Sequence, residues 1–290
     1  MTAIARVRAL DILLADYPPM IRGRAPFWRP APAQIEDQIY EPAWSWVSST
    51  PVTEDVVVLD LIAAYLAAAT SVKVAHGRLV SAGVERTFDK NRAGYWRVTV
   101  HPWTVPDLFS PLGTARLGTE VWVTTPTAAL LADLTDEGHW PGIDVHESWT
   151  CPYTVRLRPW AQHMSALRRE AIMSHDRELY DAIKISYSQA VTLMGVDRKS
   201  KIFRPDWGRA IRTQHAANTW RKAWRAYQLG HGPVAAGSVD ELAFRRRSLQ
   251  WMRSMREAGR PMPVKVDPTG VSLGSWRVKG TYTAEAWAAR

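Results

Sequence analysis

The sequence predicts an α+β protein: an antiparallel sheet backed by helices, with a pair of helices inserted partway along the chain. Three observations predict it. A β-branched run, Val56-Val57-Val58-Leu59, delivers a carboxylate at Asp60 and passes at once into an alanine-rich helical stretch carrying Tyr65. Pro233 to Phe244 reads as a tight hairpin carrying a second carboxylate, Asp240. Between them, two helical patterns meet at the turn Ser174-His175-Asp176.

The elements follow in order. Ala3 to Asp16 is patterned as a short amphipathic helix, and the Pro- and Trp-rich stretch from Pro18 to Trp46 should wrap over another domain rather than build its own sheet. The first buried strand begins at Val56, and the alanine-rich helix runs over Leu61–Thr70. Tyr95–Val100, Glu120–Thr124 and Asp144–Thr150 alternate β-branched or aromatic with polar residues and read as strands. Thr127 to Glu137 has helical spacing, with Thr127 as the cap and Gly138 as the stop. Trp160–Ser174 and Asp176–Met194 form the antiparallel helix pair. Pro205–Leu229 is a long helix with proline in its first turn, ended by Gly230-His231-Gly232-Pro233. A basic helix is expected from Val239 or Glu241 to Ala258, then turn-rich strands from Pro261. No internal repeat or low-complexity tract stands out.

Composition narrows the partners. At 290 residues the chain can bury a sizeable core in one large or two small domains. Its net charge of +9 is mostly arginine, which favours a polyanion: nucleic acid or an anionic membrane surface. Arginine suits bidentate phosphate contact. Fifteen tryptophans are an unusual load, most of them expected in the core and a few free to stack on bases. A single cysteine, Cys151, excludes an internal disulfide and a cysteine-based zinc site and fits a reducing cytosol. The longest apolar run is interrupted by Asp60 and too short for a bilayer, so a soluble, cytoplasmic protein is expected. The eight histidines lack metal-ligand spacing, and neither a nucleophile elbow nor a Gly-rich phosphate loop is present.

The order and spacing of several short motifs resemble family B DNA polymerases, and most of all their protein-primed branch. Asp60-Leu61-Ile62-Ala63-Ala64-Tyr65 resembles the family's Asp-x-x-Ser-Leu-Tyr motif, without its Ser and Leu. Val121-Trp122-Val123-Thr124-Thr125 and Val145-His146-Glu147-Ser148-Trp149 resemble scaffold strands of that branch. Lys184, with Ser188 and Gln189 following, resembles Lys-x-x-x-Asn-Ser-x-Tyr-Gly, although Val191 and Thr192 replace Tyr and Gly. Ser238-Val239-Asp240 resembles the Asp-Thr-Asp hairpin with its first Asp lost and Glu241 added. Leu273-Gly274-Ser275-Trp276 resembles the segment closing the palm, and Lys279 with Tyr282 echoes a Lys-x-Tyr primer contact one residue out of step.

The resemblance implies an antiparallel palm sheet backed by helices with a two-helix fingers insertion. Residues 1–54 then form an N-terminal wrap, 55–159 the first part of the palm, 160–200 the fingers, and 201–290 the second part of the palm with a short tail. Asp60 and Asp240, helped by Glu241, would hold two Mg²⁺ ions, with Mn²⁺ as the alternative, for in-line attack on a deoxynucleoside triphosphate. Tyr65 would set sugar choice, and Lys184, Arg168, Arg169 and Ser188 would meet the nucleotide. Arg209, Arg212, Arg221, Lys222, Arg225, Arg245, Arg246 and Lys279 would track nucleic acid, DNA ahead of RNA. Fewer than 60 residues precede Asp60, so no exonuclease domain is expected. The same residues also suit plainer roles: Asp60 as a helix cap, Asp240 on a surface hairpin, the basic residues on solvated helix faces. The eroded motifs keep a second reading open, a polymerase-derived nucleic-acid-binding accessory of replication or telomeres without catalysis.

Overall fold

The computed structural model describes residues 31–83, 87–198 and 203–289. The helix expected over Ala3–Asp16 lies outside them. The chain divides into two compact units. One takes the residues through Glu41 with Tyr65–His101 and Arg116–Gln214; the other takes Pro42–Ala64, Pro102–Ala115 and His215–Arg290. Both combine antiparallel sheets with helices, so the protein is α+β.

In the first unit, β3 (Lys73–Ala75) pairs with β8 (Thr154–Arg156), while β4 (Val80–Ser81), β7 (Val145–Cys151), β5 (Ala93–Thr99) and β6 (Glu120–Thr124) form a four-stranded sheet in that order. The side chains of Tyr95, Trp96 and Val98 on β5 are buried, as expected of a central strand. Two further helices of this unit are α1 (Ala33–Glu36) and α2 (Ala64–Ala69), the latter starting at the unit boundary. β6 runs directly into α3 (Thr125–Asp136), whose cap position is Thr124 and not Thr127; no cap side chain makes a bond there, and Pro126 supplies the helical φ in the first turn. α4 (Arg158–Met173) and α5 (Arg177–Val196) form the expected antiparallel pair. His175 makes the left-handed turn at φ 56°, and Asp176 caps α5 by accepting from Leu179 N at 2.9 Å.

The second unit is built on a five-stranded sheet, ordered β1 (Trp44–Val47), β9 (Ala235–Ser238), β10 (Glu241–Arg245), β2 (Val56–Leu61) and β11 (Trp276–Tyr282), every neighbouring pair antiparallel. Val56, Val57, Val58 and Leu59 of β2 are all buried, which explains a continuous apolar run in place of alternation. α6 (Pro205–Gln228) crosses the boundary, contributing its part from His215 onward to this unit. There Trp220 donates to Phe109 O at 3.1 Å and stacks on Trp224, which stacks in turn on Tyr227. Most of the tryptophans are core residues, Trp96, Trp160, Trp207, Trp220 and Trp276 being completely covered.

Two expectations are corrected here. Trp44–Val47, assigned to a wrapping segment, joins the sheet as β1 through register pairs from Trp44↔Ser238 to Val47↔Ala235. Glu241–Arg245, assigned to the start of a basic helix, is strand β10; the helix, α7 (Arg246–Glu257), begins only after it. Leu242, Ala243 and Phe244 pair with buried β2 residues, and that burial overrides the local helical pattern. A short α8 (Ala284–Ala288) follows β11. Among the described residues no helix is long and apolar enough to cross a membrane.

The tightest backbone approach in the first unit is at Gly94 on β5, where a Cβ would lie 2.1 Å from Trp149 O and 2.8 Å from Thr150 Cα, at φ 151°. Only glycine fits between these paired strands. Gly94→Ala is expected to destabilise the protein by at least ~2 kcal/mol, measured as a lower urea midpoint with an unchanged slope.

Candidate carboxylate site

The site is set by strand register in the second unit. Gly237 on β9, Glu241 on β10, Asp60 on β2 and Arg277 on β11 stand directly opposite one another in successive pairs. Directly paired residues share a sheet face, so the two carboxylates and the guanidinium form one row across four strands. Asp240 occupies the turn just before β10, with Ser238 at φ 54° making the reversal. Leu61 N donates to Asp240 O at 3.0 Å and ties this turn to β2 beside Asp60.

Like charges facing each other across a sheet are unfavourable, and two cations answer them. Arg277 donates to Asp60 Oδ2 through Nε at 2.8 Å and through a terminal nitrogen at 2.5 Å. Lys279 Nζ donates to Glu241 Oε2. A register irregularity between Val278 and Gly280 leaves Lys279 outside the ladder, the kind of bulge that re-aims a side chain. Gly237 makes room for the Glu241 carboxylate, since a Cβ there would sit 3.3 Å from Oε1. A groove of about 560 Å³ starts at this row, lined by Ser45, Gly237, Glu241, Ala243 and Trp287.

The electrostatics follow the geometry. Burial raises the Asp240 carboxyl above the ordinary carboxylate range, the neighbouring Asp60 charge raises it further, and Lys279 partly offsets both. Glu241 holds the Lys279 ammonium above its ordinary value. Buried His215 on α6 is pulled down to about 4, first by burial and then by the Lys222 charge, with Asp60 opposing. Burial also lowers Lys222 to about 8, although its ammonium donates to Gly274 O and lies 5.5 Å from the centre of the Trp276 ring.

The other expected site residues are distributed as follows. Arg225 is exposed and Arg221 half-buried on α6; Arg245 lies 3.9 Å from Glu54 and Arg246 3.1 Å from Asp55. These belong to the second unit, as does half-buried Lys222. Tyr65, Arg168, Arg169, Lys184, Ser188, Arg209 and Arg212 belong to the first. Tyr65 is half-buried on α2, close enough to Arg212 for their charges to interact. Lys184 and Arg169 are exposed, whereas Arg168 is 3% exposed with its guanidinium 5.3 Å from the centre of the Tyr180 ring. Arg209 pairs with Glu36, which also accepts from Tyr95, and Arg212 grips Glu41 through two bonds of 2.6 Å. Arg168 is buried, and half-buried Arg209, Arg212 and Lys222 are each held by a carboxylate or a carbonyl.

Two residues escaped the sequence reading. Arg277 lies two positions before Lys279, and strand alternation from Trp276 onward would have put a cation there on the sheet face bearing Asp60. His215 carried no signal, since helical spacing alone does not distinguish a buried neutral histidine. Among the described residues no group of three or more His, Cys, Asp or Glu side chains is arranged to hold a metal ion.

No protein-family model and no curated protein sequence matches the chain. Solved structures do. Phi29 DNA polymerase complexed with primer-template DNA and incoming nucleotide substrates aligns at a TM-score of 0.62 and 10% identity, over 96% of this chain and 52% of that one. The orthorhombic crystal form of Phi29 DNA polymerase aligns at 0.60 and 11%, over 96% and 53%, and its complex with single-stranded DNA at 0.59 and 11%, over 96% and 52%. The chain thus has a polymerase-like fold and spans about half the length of the structures it matches.

The lowered His215 value has a pH consequence. Between about 4 and 6.5 the unfolded chain binds a proton at this imidazole that the native state refuses, so stability falls as pH drops through that window. His215→Asn should flatten this part of the acid limb, by up to about 3 kcal/mol between pH 7 and pH 4. Urea unfolding of both proteins at successive pH values measures the difference.

Proposed function

We propose that the chain is a polymerase-like, DNA-binding nucleotidyltransferase, with the five-stranded sheet as its palm and α4–α5 as its fingers. The observation that carries this reading is the register that faces Asp60 with Glu241 and brings Asp240 beside them, gathering three carboxylates at one end of the sheet. The polymerase-like fold supports it.

All-oxygen donors suit Mg²⁺ or Mn²⁺, and Asp60, Asp240 and Glu241 would hold such ions once Arg277 and Lys279 let go and the three carboxylates draw together. Bound there, the ions would activate a 3′-hydroxyl and neutralise the triphosphate. Exposed Lys184 and Arg169 would meet phosphate oxygens, Ser188 would line the nucleotide, and Tyr65 would sense the sugar 2′ position. Arg221 and Arg225 of α6 would follow the DNA backbone, with Arg245 and Arg246 joining where phosphate replaces their carboxylate partners.

A second reading, a binder without catalysis, is favoured by one observation: Asp60 and Glu241 already carry organic cations. Primer extension with dNTPs and NTPs separates the two. Asp240→Asn should abolish metal-dependent incorporation while DNA binding stays equal or tightens, because the same change removes a ligand and a negative charge facing phosphate. Tyr65→Ala should relax discrimination against ribonucleotides without stopping the reaction. A wild type that binds DNA but extends no primed, unprimed or protein-primed template leaves the binder.

The counter-ions give a readout that does not require activity. Arg277 and Lys279 are largely exposed while Asp60 and Glu241 are not, so the cations can leave and the carboxylates stay. Arg277→Gln is expected to tighten Mn²⁺ binding about 2- to 5-fold in an electron paramagnetic resonance titration, the worth of an exposed pair. Asp60→Asn should weaken it strongly.

A further inference from the structure

The five-stranded sheet has a second concavity, on the face turned away from the carboxylate row. Val57, paired with Thr281 and alternating with Val58 and Asp60, forms part of its floor. The groove has a volume of about 780 Å³ and runs between the sheet, α7 and the 262–268 segment. Leu249 of α7, Met262, Val266 and Val278 give it a partly exposed aliphatic and thioether lining over buried Met252 and Val264, with Glu257 also at its edge, and Val278 is 53% exposed, high for a large apolar side chain on a strand.

Arg253 and Arg256 stand at the edge of this lining. Arg245, Arg246 and Arg247, around the start of α7, all face Glu54 or Asp55, and Arg277 and Lys279 face Asp60 and Glu241. Arg253 and Arg256 are exposed and have no ion-pair partner among the described residues. Leu249, Met252, Arg253 and Arg256 follow the i, i+3, i+4, i+7 spacing of a single helical stripe, so apolar and cationic positions face the groove together.

We infer that this groove docks an acidic amphipathic segment of a partner protein. Its aliphatic side chains would cover Leu249, Met262, Val266 and Val278, and its carboxylates would take the guanidinium forks of Arg253 and Arg256. Methionine in the lining adapts to varied aliphatic shapes. The lining holds no aromatic ring, which removes the stacking platform that single-stranded nucleic acid uses. The inference does not depend on the carboxylate site or on catalysis.

Fluorescence anisotropy of the full chain tests it with three labelled probes: a helical peptide about four turns long with leucines on one face and glutamates flanking them, a scrambled peptide of the same composition, and an oligothymidylate. The amphipathic peptide should bind, and slower hydrogen exchange should appear in α7 and residues 262–268. Reversing charge with Arg253→Glu and Arg256→Glu should weaken it about tenfold or more, and Val278→Ser should weaken it at unchanged charge. Both sites are exposed, and circular dichroism checks that the variants fold. No binding, equal binding of the scrambled peptide, or indifference to the charge reversal would overturn the inference. So would oligothymidylate binding that requires Arg253 and Arg256 while the peptide fails to bind.

Discussion

The second unit depends on the register between β10, β2 and β11. A slip of one residue would turn Asp60 and Glu241 to the opposite face and bring Leu59 and Leu242 in their place. Several features hold it. The Asp240 turn is bonded to Leu61 N, and the β2 end is bonded to the 274–275 segment through Ile62 N to Ser275 O and Gly274 N to Ile62 O. With the register fixed, two acids face each other, and β11 must supply cations. The bulge at Lys279 is what lets one strand serve both carboxylates. Strand pairing and site chemistry are thus one constraint seen at two scales.

The same logic governs the arginines that do not reach the surface. A net charge of +9 reads as a broad cationic face, but several arginines of the first unit are held by partners within the fold. Arg204 is buried against Asp206 and donates to Ala75 O, which also accepts from Trp207, and its guanidinium lies 4.4 Å from the centre of the Trp207 ring. Glu36 is pushed up to about 7 by burial, with Arg209 pulling in the opposite direction. A buried carboxylate needs this company, and removing one partner would leave the other exposed to a low dielectric. The charge left for a polyanion is the exposed remainder, which includes Arg169 on α4, Lys184 on α5, Arg225 on α6 and Arg253 and Arg256 on α7.

The elements with strong periodicity or strong punctuation were legible in the sequence. The α4–α5 pair, α6 with Pro205 and Gly230 at its ends, and the β2 run all have local causes: turn residues, proline placement and a β-branched block. The two carboxylate-bearing segments were legible as segments. What was not legible has long-range causes. Trp44–Val47 is a strand only because β9 offers it a partner, and Glu241–Arg245 is one only because β2 does. Arg209 and Arg212 look like any exposed arginines on a helix until Glu36 and Glu41, more than 150 residues earlier, meet them. Charge counts report how many cations exist, while pairing over such distances decides which are free.

The arrangement at Asp60 and Glu241 is asymmetric in a way that bears on what the row can do. The acids are held by the ladder and mostly covered, with side-chain exposures of 17% and 21%; their cations are at 53% and 59%. Exposed pairs of this kind contribute little, ~0–1 kcal/mol, because water competes for the cation and two long side chains must be ordered. The fixed part of the row is therefore its negative charge and the exchangeable part is its positive charge. A row built only for stability would bury both members or neither. Under the proposed function, an incoming cation would meet these oxygens and displace only flexible side chains. Once displaced, Arg277 and Lys279 would remain beside the row as free positive charge, able to meet an anion arriving with that cation.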